Sequence, residues 1–293
     1  MILAPLRGVT IRCFRETFAE EIRAAGFIEA ITPFITANDG YDPLKDRELQ
    51  KCSNVRMLEC SNADSIKVTP QFIGKDPEAL RGCLEKVKAA GYDTADLNCG
   101  CPFPMVRNKG RGSGILRTPD VLRRMLEVGC EVMGAGKFSM KARLGVDRGD
   151  ELLKLLPMIN EFPLRFLTVH ARTARQMYEG SCDWKAVEAI ENSAQVLVVR
   201  NGDIACIGAS EHRSIRPVMV GRSFIRSLGE REDSDELLNR YIVASQAELC
   251  GDRPVLGRMK ELISYWKDLP QWKRRWNIIK LCRTVDELKS CLV

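Results

Sequence analysis

The chain alternates. Short apolar runs are separated by stretches of helical periodicity, and the alternation passes through eight units before it stops. The runs are Met1–Ala4, Phe27–Ile35, Lys67–Ile73, Tyr92–Leu97, Lys137–Arg143, Arg165–Val169, Gln195–Val199 and Pro217–Val220. The helical readings are Ile11–Ala25, Pro77–Ala90, Val121–Met133, Glu151–Asn160, a helix capped at Asp183-Trp184 and running to Ile190, and Ile204–Glu211. Gly26 and Gly91 supply helix stops. Asn38–Ala63 is polar and weakly periodic, and reads as partial helix and loop. Strands without polar alternation belong to a parallel sheet covered on both faces. Eight βα units over roughly 220 residues predict an α/β fold, a (β/α)8 TIM barrel. A doubly wound sheet also alternates, but it rarely needs eight units, and no GxGxxG follows the first run.

From about Asp233 the pattern changes. Glu236–Leu249, Val255–Leu269 and Thr284–Leu292 read as helices with no strand among them. The expected organisation is a barrel over residues 1–232 and a C-terminal all-helical domain over 233–293. The second part carries Tyr265-Trp266-Lys267, then Trp272-Lys273-Arg274-Arg275-Trp276 and Lys280. Cations interleaved with aromatics suit phosphates and stacked bases. The same pattern also fits a helix pair with Trp inside and Lys and Arg in solvent.

The net charge of +6 permits a nucleic-acid partner without showing one. The 12 cysteines form no CxxC pair and there are only 2 histidines, so no structural metal site is expected. Most thiols read as small buried hydrophobes in helices. No signal-peptide pattern precedes Ile2 and no apolar run is long enough to span a membrane. The expectation is a cytoplasmic protein with reduced thiols, and a monomer.

Polar residues gather where barrel chemistry is found, at the C-terminal ends of the strands. Pro5, Leu6 and Arg7 follow the first run, and Gln71 ends the third. Asn98 and Cys101 follow the fourth, and Lys141 and Arg143 lie in the fifth. His170, Arg172 and Thr173 follow the sixth; Asn201, Gly202 and Asp203 the seventh; Gly221 and Arg222 the eighth. The loops after strands seven and eight are frequent phosphate sites in such barrels. Lys141 points into the barrel mouth on this reading, which is costly unless it meets an anion or an electron-rich ring.

The stretch from Asp96 to Leu116 is the most unusual. Asn98, Cys99, Gly100, Cys101 and Pro102 are expected to leave the sheet, because Gly and Pro break the ladder. A basic, glycine-dotted loop follows with Arg107, Lys109, Arg111, Gly112 and Gly114, and a helix resumes at Thr118-Pro119-Asp120.

Asn98-Cys99-Gly100-Cys101-Pro102, Lys109, Gly112-Ser113-Gly114 and Leu116 resemble the signature of the tRNA-dihydrouridine synthases, flavin enzymes that reduce uridine in folded RNA. The resemblance extends to Ala4-Pro5, Gln71, Lys141-Ala142-Arg143-Leu144-Gly145, Val169-His170-Ala171-Arg172-Thr173, Asn201-Gly202-Asp203-Ile204 and Gly221-Arg222, in that order. It implies FMN held by Pro5, Leu6, Arg7, Gln71, Lys141, His170, Asn201, Gly202, Asp203, Gly221 and Arg222. It implies Cys101 as the general acid. Asn98, Arg143 and Tyr178 would hold the target base, with Lys109 and Arg111 on the RNA. The implied reaction takes reducing equivalents from NADPH, passes hydride from FMN N5 to uracil C6, and protonates C5 from Cys101. tRNA is the implied substrate, with ribosomal RNA, or a small pyrimidine on another FMN barrel, as alternatives. An RNA-binding protein without catalysis is the non-enzymatic alternative. The sequence departs from the family pattern at Leu6, at Thr32-Pro33-Phe34, at Ala171 and in the short stretch from Asp203 to Met219.

Overall fold

The protein is described here from a computed structural model, which covers residues 1–49, 66–206 and 216–292. Ten short strands are present: β1 (Ile2–Leu3), β2 (Glu29–Ile31), β3 (Ile35–Thr36), β4 (Lys67–Thr69), β5 (Gln71–Ile73), β6 (Ala95–Cys99), β7 (Phe138–Gly145), β8 (Leu167–Thr173), β9 (Val198–Asn201) and β10 (Val218–Val220). All pair in parallel. They make eight staves, because β2 with β3, and β4 with β5, are two halves of one strand interrupted at Pro33 and Pro70. Proline has no N–H to give to a ladder. The interruptions stay bonded. The Thr32 N–H donates to the Thr69 carbonyl at 3.0 Å, and the Gln71 N–H donates to Thr32 Oγ1 at 3.0 Å. β1 pairs with both β2 and β10, so the eight staves close into the expected barrel.

Helices surround it: α1 (Arg12–Thr17), α2 (Ala19–Ala24), α3 (Pro77–Ala89), α4 (Pro104–Arg107), α5 (Pro119–Met133), α6 (Glu151–Ile159), α7 (Trp184–Ser193) and α8 (Arg222–Glu230). Four more follow: α9 (Ser234–Glu248), α10 (Asp252–Ile263), α11 (Pro270–Ile279) and α12 (Val285–Lys289).

The strands alternate after all, but between apolar and polar buried faces. On β6, Ala95, Leu97 and Cys99 point outward into the apolar layer beneath the helices. Thr94, Asp96 and Asn98 are buried on the other face. On β7, Phe138, Met140 and Ala142 take the outer face, leaving Ser139, Lys141 and Arg143 inside. On β8, Leu167, Val169 and Ala171 are outer, leaving Thr168, His170 and Arg172 inside. The period of two in a strand sends the polar set inward. The floor of the barrel is sealed by charge. Both Glu29 oxygens accept from Arg165, at 2.6 and 2.8 Å, and Thr69 Oγ1 donates to Glu29 at 2.5 Å.

Several expectations change. Asn98 and Cys99 do not leave the sheet: they pair with Lys141 and Ala142. The ladder ends at Cys99, just before Gly100. The basic loop is not irregular throughout, since it holds α4 and a 3-10 turn at Gly112–Arg117. The single helix expected over Ile11–Ala25 is two, joined at buried Phe18. Thr17 Oγ1 donates back to the Cys13 carbonyl at 2.8 Å, a bond that bends helices. The strands read at Tyr92–Leu97, Arg165–Val169 and Gln195–Val199 each sit two or more residues later. Ile204–Cys206 is not helical, and the rest of the Ile204–Glu211 reading lies outside the described residues. Asn38–Ala63 contributes a 3-10 turn at Pro43–Lys45, and its part beyond Leu49 lies outside them too. The helix read over Val255–Leu269 ends at Ile263, and a separate helix starts at Pro270.

The aromatics of the tail are packed inside. Trp266 and Trp272 are fully buried, 4.8 Å apart between ring centroids. Their Nε1 atoms donate to the Ile225 and Gly229 carbonyls at 2.6 and 3.0 Å. Arg275 stacks on Trp272 and pairs with Asp235. Lys267, Lys273, Arg274 and Lys280 stay exposed, so the charged half of the pattern faces solvent and the tryptophan half does not. One apolar layer joins α1, α2 and α8 to the tail: Phe14, Phe18, Phe224, Tyr241, Met259 and Trp266 belong to it. Among the described residues no helix is long and apolar enough to cross a membrane.

Candidate active site

A cavity of about 610 Å³ opens at the C-terminal end of the barrel. That is a normal size for a small-molecule or cofactor site. Its wall contains Pro5, Leu6, Arg7, Gln71, Asn98, Cys101, Lys141, Arg143, His170, Tyr178, Asn201, Gly202, Gly221 and Arg222. Of the site residues expected from sequence, Asp203, Lys109 and Arg111 do not line it. Asp203 stands behind the wall, ion-paired to Arg172 and, at 2.7 Å, to Arg222. Lys109 is exposed, and Arg111 reaches Asn38 at 3.4 Å.

The Cys101 loop is tied down from three sides. Asn98 Oδ1 accepts from the Gly100 and Cys101 N–H groups at 3.1 and 2.9 Å. Arg143 Nε donates to the Gly100 carbonyl at 2.9 Å. Ser113 donates to the Cys101 carbonyl through both its N–H, at 3.1 Å, and its hydroxyl, at 2.9 Å. This contact explains the glycines on either side of Ser113. A Cβ on Gly112 would lie 2.7 Å from Cys101 Cβ, and one on Gly114 would lie 2.1 Å from the Arg107 carbonyl oxygen.

Cys101 is 7% exposed. Burial raises its thiol pKa, against smaller opposing pulls from a backbone hydrogen bond and the cations Arg143 and Arg7. It therefore carries its proton at neutral pH. Burial also lowers Lys141, to about 8, helped by Arg143 and resisted by Asp96. Lys141 Nζ donates to Asn201 Oδ1 at 2.9 Å, and the Asn201 amide donates to the Met219 carbonyl at 2.9 Å. His170 is held neutral by burial first and then by Arg143, Lys141, Arg172 and Arg222. Its Nε2 is buried and has no hydrogen-bond partner among the described residues.

Arg143 is a scaffold as much as a wall. Besides Gly100, it donates to the Thr173 and Met177 carbonyls at 3.0 and 2.6 Å. The nearby carboxylates of Asp147 and Asp150 pair elsewhere, with Arg117 and Arg175, and with Arg148 and Lys154. The Tyr178 ring lies between two guanidiniums, 5.3 Å from Arg143 and 5.0 Å from Arg222.

Other wall residues are not among the site residues expected from sequence. Pro33 and Phe34 line the cavity, with Arg7 stacked on Phe34 at 5.5 Å. Phe103 and Met105 stand at the mouth, 44% and 74% exposed. Glu261 and Tyr265 come from the tail and complete the wall. Tyr265 is visible in sequence as part of an aromatic-cationic run; its place beside the barrel depends on how α10 docks, which no local signal carries.

A model of the family described as dihydrouridine synthase (Dus) matches residues 2–227. The chain belongs to the dihydrouridine synthase family. The family's enzymes are oxidoreductases, and the cavity fits that chemistry: a protonated thiol, a cationic amine and an open imidazole line its wall. A probable tRNA-dihydrouridine synthase of Staphylococcus aureus is 29% identical over 235 residues, 77% of this chain and 68% of the relative. The tRNA-dihydrouridine(16) synthase of Salmonella typhimurium is 28% identical over 235 residues, 76% of this chain and 72% of the relative. Among solved structures, the old yellow enzyme homologue from Zymomonas mobilis has a TM-score of 0.51 at 11% identity, over 77% of this chain and 85% of that one. Morphinone reductase in complex with tetrahydroNAD has a TM-score of 0.50 at 12% identity, over 77% and 83%. These two likenesses concern the barrel fold alone.

Proposed function

We propose that the protein reduces uridines in tRNA to 5,6-dihydrouridine, using bound FMN and NADPH as reductant. The observation that carries this reading is Cys101, a buried and protonated thiol on the rim of a cationic cavity, in a chain of the dihydrouridine synthase family. Residues 1–232 would form the flavin-binding catalytic domain and 233–293 the RNA-binding domain of a cytoplasmic monomer.

The residues present fit FMN. A buried imidazole nitrogen without a partner, a buried lysine amine and Arg222 at the start of α8 offer one acceptor or donor and two cations. A helix N-terminus beside Gly221 favours a phosphate. Pro5, Leu6, Arg7, Gln71, Lys141, His170, Asn201, Gly202, Gly221 and Arg222 would hold the group, with Asp203 orienting Arg222 from behind. When bound, the flavin supplies a hydride for C6 of the pyrimidine.

The chain's own residues do the rest. Cys101 holds a proton for C5 until it is needed, because burial disfavours the thiolate. Arg143 and Arg7 favour the anion left after transfer. Asn98, Arg143 and Tyr178 would hold the base. The target nucleotide must leave its stack, at a cost of a few kcal/mol, roughly. Lys109, Arg111 and the exposed cations of the tail would offset that cost through phosphate contacts.

The test is the visible spectrum of the purified protein, followed by an assay of dihydrouridine in unmodified tRNA with NADPH. A yellow protein that forms dihydrouridine is expected. A colourless protein that FMN does not reconstitute, or a yellow one inactive on tRNA, would sink the reading.

A further inference from the structure

A buried carboxylate sits below the site, outside the cavity wall. Asp96 is fully buried in the middle polar layer of the barrel. Its Oδ1 accepts from Ser139 Oγ at 2.6 Å and its Oδ2 from Gln71 Nε2 at 2.7 Å. Gln71 Oε1 in turn accepts from Asn98 Nδ2 at 2.7 Å. Asn98 Oδ1 then accepts from the N–H groups of Gly100 and Cys101. The four residues form one line of hydrogen bonds from the barrel interior to the Cys101 loop.

We propose that Asp96 is a positioning residue that fixes the direction of this relay and so the placement of Cys101. An amide can turn over, exchanging its donor and acceptor ends with little change of shape. A carboxylate cannot: it only accepts. Asp96 therefore makes Gln71 point its NH2 group downward and its oxygen upward. That makes Asn98 present its NH2 group to Gln71 and its oxygen to the loop. Were the relay reversed, the Asn98 NH2 group would face the Gly100 and Cys101 N–H groups, donor against donor. Only one direction holds the loop, and Asp96 enforces it from the barrel interior as the two loop N–H groups do from the other end.

The inference rests on the reading of Cys101 as the acid only for its effect on turnover. The relay itself is testable without turnover, by alkylation of Cys101 in protein freed of flavin. Iodoacetamide labelling would be followed on the Cys101 peptide by mass spectrometry, so that exposed Cys250 does not interfere. A double-mutant cycle at Asp96 and Ser139 isolates direction from simple bonding.

Ser139→Ala removes one donor but leaves the carboxylate to command Gln71. Asp96→Asn still offers an oxygen to Gln71 while its NH2 group donates to the Ser139 hydroxyl. Each single variant is expected to change alkylation less than about threefold, as distant or compensated sites do. The double variant leaves the direction to the two loop N–H groups alone. Cys101 labelling should then rise on the order of tenfold, as a locally opened loop allows. Its kcat should fall on the order of a hundredfold with KM for tRNA little moved, as for a misplaced catalytic group.

A folded double variant whose Cys101 labels at the wild-type rate would overturn the proposal. If that variant does not fold, Gln71→Leu cuts the same relay at its next member. It is expected to raise labelling equally, and wild-type labelling there would also overturn it. An active enzyme in which Cys101→Ala has no effect would instead count against the acid assignment, leaving the labelling result to judge the relay.

Discussion

The two ends of the barrel use the same staves in opposite ways. At the N-terminal end, Glu29 is 2% exposed and its two oxygens take three donors, two from Arg165 and one from Thr69. Charge there is matched and sealed. At the C-terminal end, among the described residues, Lys141, Arg143 and Arg222 crowd one cavity with no carboxylate hydrogen-bonded to the first two, and His170 Nε2 has no partner. Burying cations without counter-charge is unfavourable unless something else provides the charge. The floor is finished by the chain itself, whereas the mouth is finished by what enters it.

If that contrast is right, variants at the two ends should fail differently. Cys101→Ala should lower the rate of dihydrouridine formation by about 10²–10⁴-fold, the usual worth of a positioned acid. Its melting temperature should barely move. Glu29→Gln should do the reverse, costing roughly 3 kcal/mol in urea unfolding, because Arg165 and Thr69 lose a buried partner. Arg165 is itself 25% exposed, which holds the figure at the low end. Turnover per folded molecule should persist. A Cys101 variant that melts as early as the Glu29 variant would erase the distinction.

A third comparison concerns pH. Lys141 is a cation below about 8 and neutral above it. A cation favours an electron-rich or anionic ring, so flavin affinity should fall as pH rises through that value. By linkage, bound flavin should raise the lysine pKa. Lys141→Gln should bind flavin more weakly at pH 7 and show no inflection there, measured by fluorescence titration. An inflection that survives the substitution would assign it to another group.

The smallest effect is expected outside the cavity. Replacing both Lys109 and Arg111 by Ala should lower the slope of log affinity for tRNA against log salt by about two, one for each phosphate that is no longer neutralised. The uridine reaction at saturating tRNA should change little. An unchanged salt slope would place these cations off the RNA.

Much of the mouth is legible in the sequence because the site of such a barrel gathers at the C-terminal ends of its strands. Pro5, Gln71, Lys141, His170 and Asn201 follow from that rule and from the family signature. What the sequence hides involves partners far away in the chain. Asn98 and Cys99 read as loop because Gly100 and Pro102 are visible breakers, yet their pairing needs only Lys141 and Ala142 opposite. The inward polar face of Thr94, Asp96 and Asn98 is also present in the sequence, as a period of two. It is masked by equally buried apolar neighbours. Trp266 and Trp272 look like base-stacking residues because sequence shows their basic neighbours. It does not show Gly229, where an added Cβ would come within 2.4 Å of the Trp266 ring.

Glu261 and Tyr265 complete the cavity wall from within α10 and the turn that follows it. Synthesis runs from the N-terminus, so Pro5 and Arg7 exist long before the residues that face them across the opening. The first stave likewise waits for Val218–Val220 to close the ring, and Phe14 waits for Tyr241 and Met259 to cover it. A nascent chain released short of residue 265 would carry Cys101, Lys141 and His170 with one side of their cavity missing. Closure of the cavity thus waits for synthesis to pass Tyr265, and a chain cut short before it has an unfinished wall.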